Sequence, residues 1–174
     1  MKSLLKLIAA TIIITTNTNA HEEPCPEIIK TAVQELYTMG ETKDYICGPD
    51  IDCTIENFTN ALEISNIQLH ANTAAPDAIQ ITPKTKGTSY FTAIFLMENC
   101  KSRLVFYPDT SSSGIKLLKP SSNGMFIIRS TARQSRAQWS ETDYHYDLNK
   151  QAYQEQKTVC YAIHATRTAR VKCQ

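Results

Sequence analysis

The sequence predicts an α+β fold: two N-terminal helices packed on an antiparallel β-meander of about six to eight strands, stapled by disulfides. Three observations predict it. Apolar residues recur at helical spacing in the first part of the chain. Short β-rich runs separated by turn residues fill the rest. Six cysteines are spread along the length.

The first helix is expected from Pro26, whose fixed φ suits an opening turn, to a stop at Gly40. Glu27 favours its positive end, and Ile28, Ile29, Ala32, Val33, Leu36 and Tyr37 form its apolar stripe. Gly48-Pro49-Asp50 makes a turn bracketed by Cys47 and Cys53. Asp52 or Thr54 can cap the second helix. Ile55, Phe58, Leu62 and Leu69 make its apolar face, and the connection over residues 72–77 ends it.

From residue 78 the period changes. Runs at 78–82, 89–98, 103–107, 114–118, 125–130, 139–146, 158–165 and 168–173 read as strands with turns between them. The run at 90–97 is apolar at nearly every position, which predicts a central strand buried on both faces. Helices first and strands afterwards place the helices over one sheet face.

Residues 1–20 have a basic start at Lys2 and Lys6, a short apolar core and a small-residue exit ending at Ala20. Those are the marks of a secretory signal peptide, with residues 21–174 forming a single α+β domain. The apolar core is shorter than the roughly 20 residues a membrane span needs, so no stable membrane insertion is expected. The expected location is secreted or periplasmic. Without Lys2 and Lys6, the 18 basic residues fall to 16 against 17 acidic. That balance gives no electrostatic reason to expect nucleic acid as a partner.

All six cysteines, Cys25, Cys47, Cys53, Cys100, Cys160 and Cys173, follow the signal segment, and an even count in an exported chain argues for disulfides. Local pairing would join Cys47 with Cys53. A hairpin turning near Thr166 would join Cys160 with Cys173, leaving Cys25 with Cys100. Other pairings remain open. No Cys-x-x-Cys spacing points to zinc.

The most distinctive stretch runs from Trp139, the only tryptophan, through Tyr144, His145, Tyr146 and Asp147, followed after a turn by Tyr153. On a strand, Tyr144 and Tyr146 share one face and His145 takes the other. The aromatic residues either close the sheet core or form an exposed patch in which Trp139, Tyr144 and Tyr146 bind a partner. This Trp-x(4)-Tyr-x-Tyr-Asp strand resembles an ending found in small secreted or periplasmic bacterial α+β proteins, with the likeness covering residues 91–153. Leu148 follows Asp147 where glycine is commoner in that ending.

These features predict an exported binding protein that acts by protein contact, as an inhibitor or immunity-type partner of an enzyme in the same compartment. The loops at 108–114 and 121–124 are candidate contact loops. No catalytic residue is assigned and no cofactor is expected. Two alternatives stand beside this reading. One is a small nuclease-like hydrolase using His145 and His164 from neighbouring late strands. The other is a copper-binding protein, in which cleavage after Ala20 would leave His21 to chelate metal through its free amine and ring nitrogen.

Overall fold

A computed structural model describes residues 26–48, 53–87, 89–108, 112–164 and 167–173. The expected signal segment, His21, Cys25 and Asp52 lie outside the described residues. Among the described residues three helices come first, α1 (Pro26–Thr38), α2 (Gly40–Cys47) and α3 (Ile55–Asn60). Nine strands follow: β1 (Leu62–Ile67), β2 (Ala78–Pro83), β3 (Ala93–Glu98), β4 (Lys101–Phe106), β5 (Ile115–Pro120), β6 (Phe126–Arg133), β7 (Gln138–Asp147), β8 (Ala152–His164) and β9 (Arg167–Val171). The α+β class holds, and two of its details change.

The first change is in the helices. The stripe of α1 buries Ile28, Ala32, Val33 and Leu36 as expected. The helix stops at Thr38, however, and Gly40 opens α2 instead of ending α1. Thr54 caps α3 by accepting a hydrogen bond from the Asn57 amide at 3.2 Å. The helix expected to continue to Leu69 ends at Asn60, and β1 takes its place. Leu62 fits helical spacing with Phe58, but Leu62 and Ile64 also alternate as strand residues do. Antiparallel pairing of β1 with the edge of β2, from Leu62 opposite Pro83 to Ile67 opposite Ala78, favours the strand.

The second change is in the sheet. The strands form two antiparallel sheets, ordered β1-β2-β3-β4 and β5-β6-β7-β8-β9, and not one meander. The alternation of β3 shows how they stack. Ala93 and Phe95 join the helix residues Ala32, Leu36 and Phe58 in one core cluster. Ile94 and Leu96 join Met125, Ile128 and Tyr153 of the second sheet region in another. The first sheet is therefore the middle of three layers, with helices on one face and the second sheet on the other. This is why the run around β3 is apolar at nearly every position. Edge-to-face contacts of Phe106 with Tyr144 and Tyr153, at 5.1 and 6.0 Å between ring centres, hold the sheets together beside β4.

Cys47 pairs with Cys53 and Cys160 with Cys173, as the local spacing predicts. The first joins the end of α2 to the residue before the α3 cap. The second ties β8 to the chain just past β9. Cys100 is also disulfide-bonded. Such bonds fit a compartment outside the reducing cytoplasm. Among the described residues no helix is long and apolar enough to cross a membrane.

Candidate functional site

Strand β7 divides its aromatic residues between two faces. Tyr144 and Tyr146 point inward, opposite the positions of Glu155 and Tyr153 on β8, and pack against the inter-sheet core. Tyr146 meets the Tyr153 ring edge-on at 5.4 Å, and its hydroxyl accepts a hydrogen bond from Arg103 at 3.1 Å. Asp147 makes the turn that follows, its Oδ1 accepting from the amides of Asn149 and Lys150. The Tyr-x-Tyr-Asp segment thus closes the core and sets the hairpin. Trp139 lies on the opposite, outward face, so the three aromatic residues expected to form one patch are split.

The outward face carries its own arrangement. Arg133 pairs with Trp139, Trp139 with Tyr161, and Tyr161 with Arg170. The four residues form a row across β6, β7, β8 and β9. The Trp139 and Tyr161 rings stack with centres 5.3 Å apart and planes 16° apart. Both are half-buried, while both arginines are exposed. A shallow concavity beside the row is lined by Thr131, Arg133, Ser135, Arg136, Trp139 and Ile163. Neither ring belongs to the two core clusters, because both lie on the face turned away from the first sheet.

Farther along the same face, Arg129 donates from Nε to Asp143 Oδ1 at 2.6 Å and from Nη2 to Oδ2 at 2.8 Å. Its Nη1 also reaches Glu141 at 3.2 Å. This two-point pairing fixes the register of β6 against β7. Hydrogen bonding from Arg129 holds the Asp143 carboxyl below its ordinary range, against a smaller opposing effect of burial. The same pairing raises Arg129. A depressed carboxyl contributes stability that is present above its unfolded pKa of about 4 and is lost as pH falls through the folded value. Asp143→Asn should therefore flatten the acid limb of the stability profile, leaving the wild type with the steeper fall below about pH 4 in urea titrations.

The two histidines of the hydrolase reading do not share a site. His145 pairs with Gln154, whereas His164 lies ten residues farther along β8, opposite Arg167. At about 3.3 Å per residue their backbones are separated by roughly 30 Å. A different histidine has a carboxylate partner. Nδ1 of His70 is hydrogen-bonded to Oδ2 of Asp77, which also accepts from the His70 amide at 3.0 Å, while Oδ1 accepts from the Leu69 amide at 2.6 Å. Gln68 closes the same loop by donating to the His70 and Thr73 carbonyls. These contacts hold the β1–β2 connection together. Sequence spacing misses the pair because it places those residues in a helix end and its following connection.

The candidate contact loop at 121–124 is also held in place. Ser121 donates to Asn123, Asn123 accepts from the Met125 amide, and its amide group donates to the Tyr146 carbonyl. Gly124 takes a φ of 82°, which favours glycine at that turn. Of the 108–114 loop, residues 109–111 lie outside the described residues. Among the described residues no group of three or more His, Cys, Asp or Glu side chains is placed to hold a metal ion.

No family model matches the chain, and no significant match is found with a curated protein or a solved structure.

Proposed function

We propose that this chain is an exported binding protein that works by protein contact, as an inhibitor or immunity-type partner of an enzyme in its own compartment. The observation that carries the reading is the row Arg133–Trp139–Tyr161–Arg170 on the open face of the second sheet. Tryptophan, tyrosine and arginine are the residues that most often anchor protein interfaces. Here they stand together on regular strands, which hold a contact surface more rigidly than loops do. The disulfides suit function outside the cytoplasm.

Co-purification from an extracytoplasmic extract tests the reading. Wild-type protein should recover a partner in stoichiometric amount. Trp139→Ser combined with Tyr161→Ser should lose it while keeping the same far-ultraviolet circular dichroism. Recovery of no stoichiometric partner by the wild type, or equal recovery by the folded double variant, would overturn it.

A further inference from the structure

Residues 21–174 carry 16 basic and 17 acidic side chains, and that near-balance conceals a separation of charge. Segments 131–140 and 158–173 contain Arg133, Arg136, Arg167, Arg170 and Lys172 and no aspartate or glutamate. The β7–β8 and β8–β9 pairings bring these segments together at one end of the second sheet. The rest of residues 21–174 holds 11 basic against 17 acidic side chains. All five cations at this end are exposed, and none forms an ion pair among the described residues.

The same end presents an open strand. β9 is the last strand in the order of its sheet, and all five of its residues are exposed. Among the described residues no strand pairs with its outer edge, which therefore offers backbone donors and acceptors. On β9 itself Val171, 36% exposed, supplies apolar contact on the face opposite Arg170. Four of the five cations are arginines, whose planar fork matches a carboxylate at two points.

We infer that this end binds an acidic, extended segment of a partner protein, added as a strand along β9. The inference rests on the reading of the chain as a protein-contact module and names the chemistry of its partner. Backbone pairing supplies affinity in such additions, and alternate side chains supply selectivity. Carboxylates on one face of the added strand lie beside Arg170, and apolar residues on its other face meet Val171, while Arg133 and Arg136, farther into the sheet, add to the positive field. The cationic surface is local. A long nucleic acid or an anionic membrane would extend past it onto the acidic remainder of the chain and be repelled there.

Trp139 is the chain's only tryptophan and stacks on Tyr161, which pairs with Arg170 of β9, so its fluorescence is one readout of binding and calorimetry is the second. The probe is a short peptide alternating glutamate and valine, titrated into the disulfide-bonded protein. The expected result is a saturable change in Trp139 emission that weakens with salt, as screening of exposed charges requires. Arg167→Ser with Arg170→Ser should weaken binding about tenfold or more, by loss of the cations on β9 itself. Lys116→Ser with Lys119→Ser on β5, at the far edge of the sheet, should leave it unchanged. A peptide methylated on alternate backbone nitrogens should not bind.

No binding to the folded wild type by either emission or calorimetry overturns the inference, as does equal binding of the methylated peptide. Tighter binding by oligothymidylate, or by vesicles of phosphatidylcholine and phosphatidylglycerol, also overturns it in favour of those ligands. If the peptide fails while co-purification still recovers a partner through Trp139 and Tyr161, the acidic-strand inference falls and the protein-contact reading stands.

Discussion

Phe95→Ala is expected to lower folding stability by about 4 kcal/mol, the range for an aromatic side chain removed from a closed core. Phe95 is fully buried on β3, the strand that lies between the helices and the second sheet. Its neighbours are held on three elements: Leu36 on α1, Phe58 on α3 and Ile81 on β2. No single shift can fill the space left, so the cost combines lost transfer energy with a residual cavity. Urea unfolding followed by circular dichroism should show the fall. Leu148→Ala, at a side chain 67% exposed in the turn after β7, should change stability by no more than about 0.5 kcal/mol. Comparable losses in the two variants would contradict the three-layer account of the core.

Asp77→Ala should be the second most costly change, at about 3 kcal/mol. Its carboxylate accepts from two backbone amides and from the His70 ring, and its side chain is 14% exposed. Hydrogen bonds to a charged group are each worth more than neutral ones, and truncation leaves the Leu69 and His70 amides without their acceptor. His70→Ala should cost less. It removes a side chain that is 40% exposed and leaves both amide bonds to Asp77 in place. The order of the two losses is the check. If His70→Ala were the more damaging, the ring and not the carboxylate would be organising the β1–β2 connection.

Much of the fold was legible because burial wrote a period into the chain. The stripe from Ile28 to Leu36 marked α1, and every β-rich run beyond residue 77 became a strand. The unbroken apolarity around Ile94 and Phe95 marked the strand buried on both faces. β1 was not legible, since Leu62 and Leu69 continue the helical spacing of Phe58 while Leu62 and Ile64 alternate as in a strand, and the neighbouring edge of β2 settles the matter. The division into two sheets was hidden for a related reason: strand periodicity states which residues are buried and not which layer buries them.

The candidate site was legible at Trp139 and illegible at Tyr161. Counting back from the turn after Asp147, Tyr146 opposes Tyr153 and Tyr144 opposes Glu155. Continuing that count would set Trp139 opposite Cys160 and turn Tyr161 inward. The register instead shifts between Asp143 and Tyr144, leaving Gln156 as an extra residue on β8. One added residue exchanges the faces of every side chain beyond it, so Tyr153 packs inward while Tyr161 stacks outward on Trp139. The clustering of Arg133, Arg136, Arg167 and Arg170 was hidden in the same way. The absence of acidic residues from the two segments is visible in the sequence, but the pairing that joins them is not.

The exposed edge of β9 bears on how copies of this protein meet one another. An uncovered strand can pair with the same strand of a second molecule and begin a chain of edge-to-edge growth. Two β9 strands brought side by side would place Arg167, Arg170 and Lys172 of each against the same charges of the other. Repulsion between like charges opposes that meeting, most strongly at low salt. The edge can thus stay open at high concentration while refusing its own kind, so that the charges that draw in an acidic strand also protect the molecule from self-assembly.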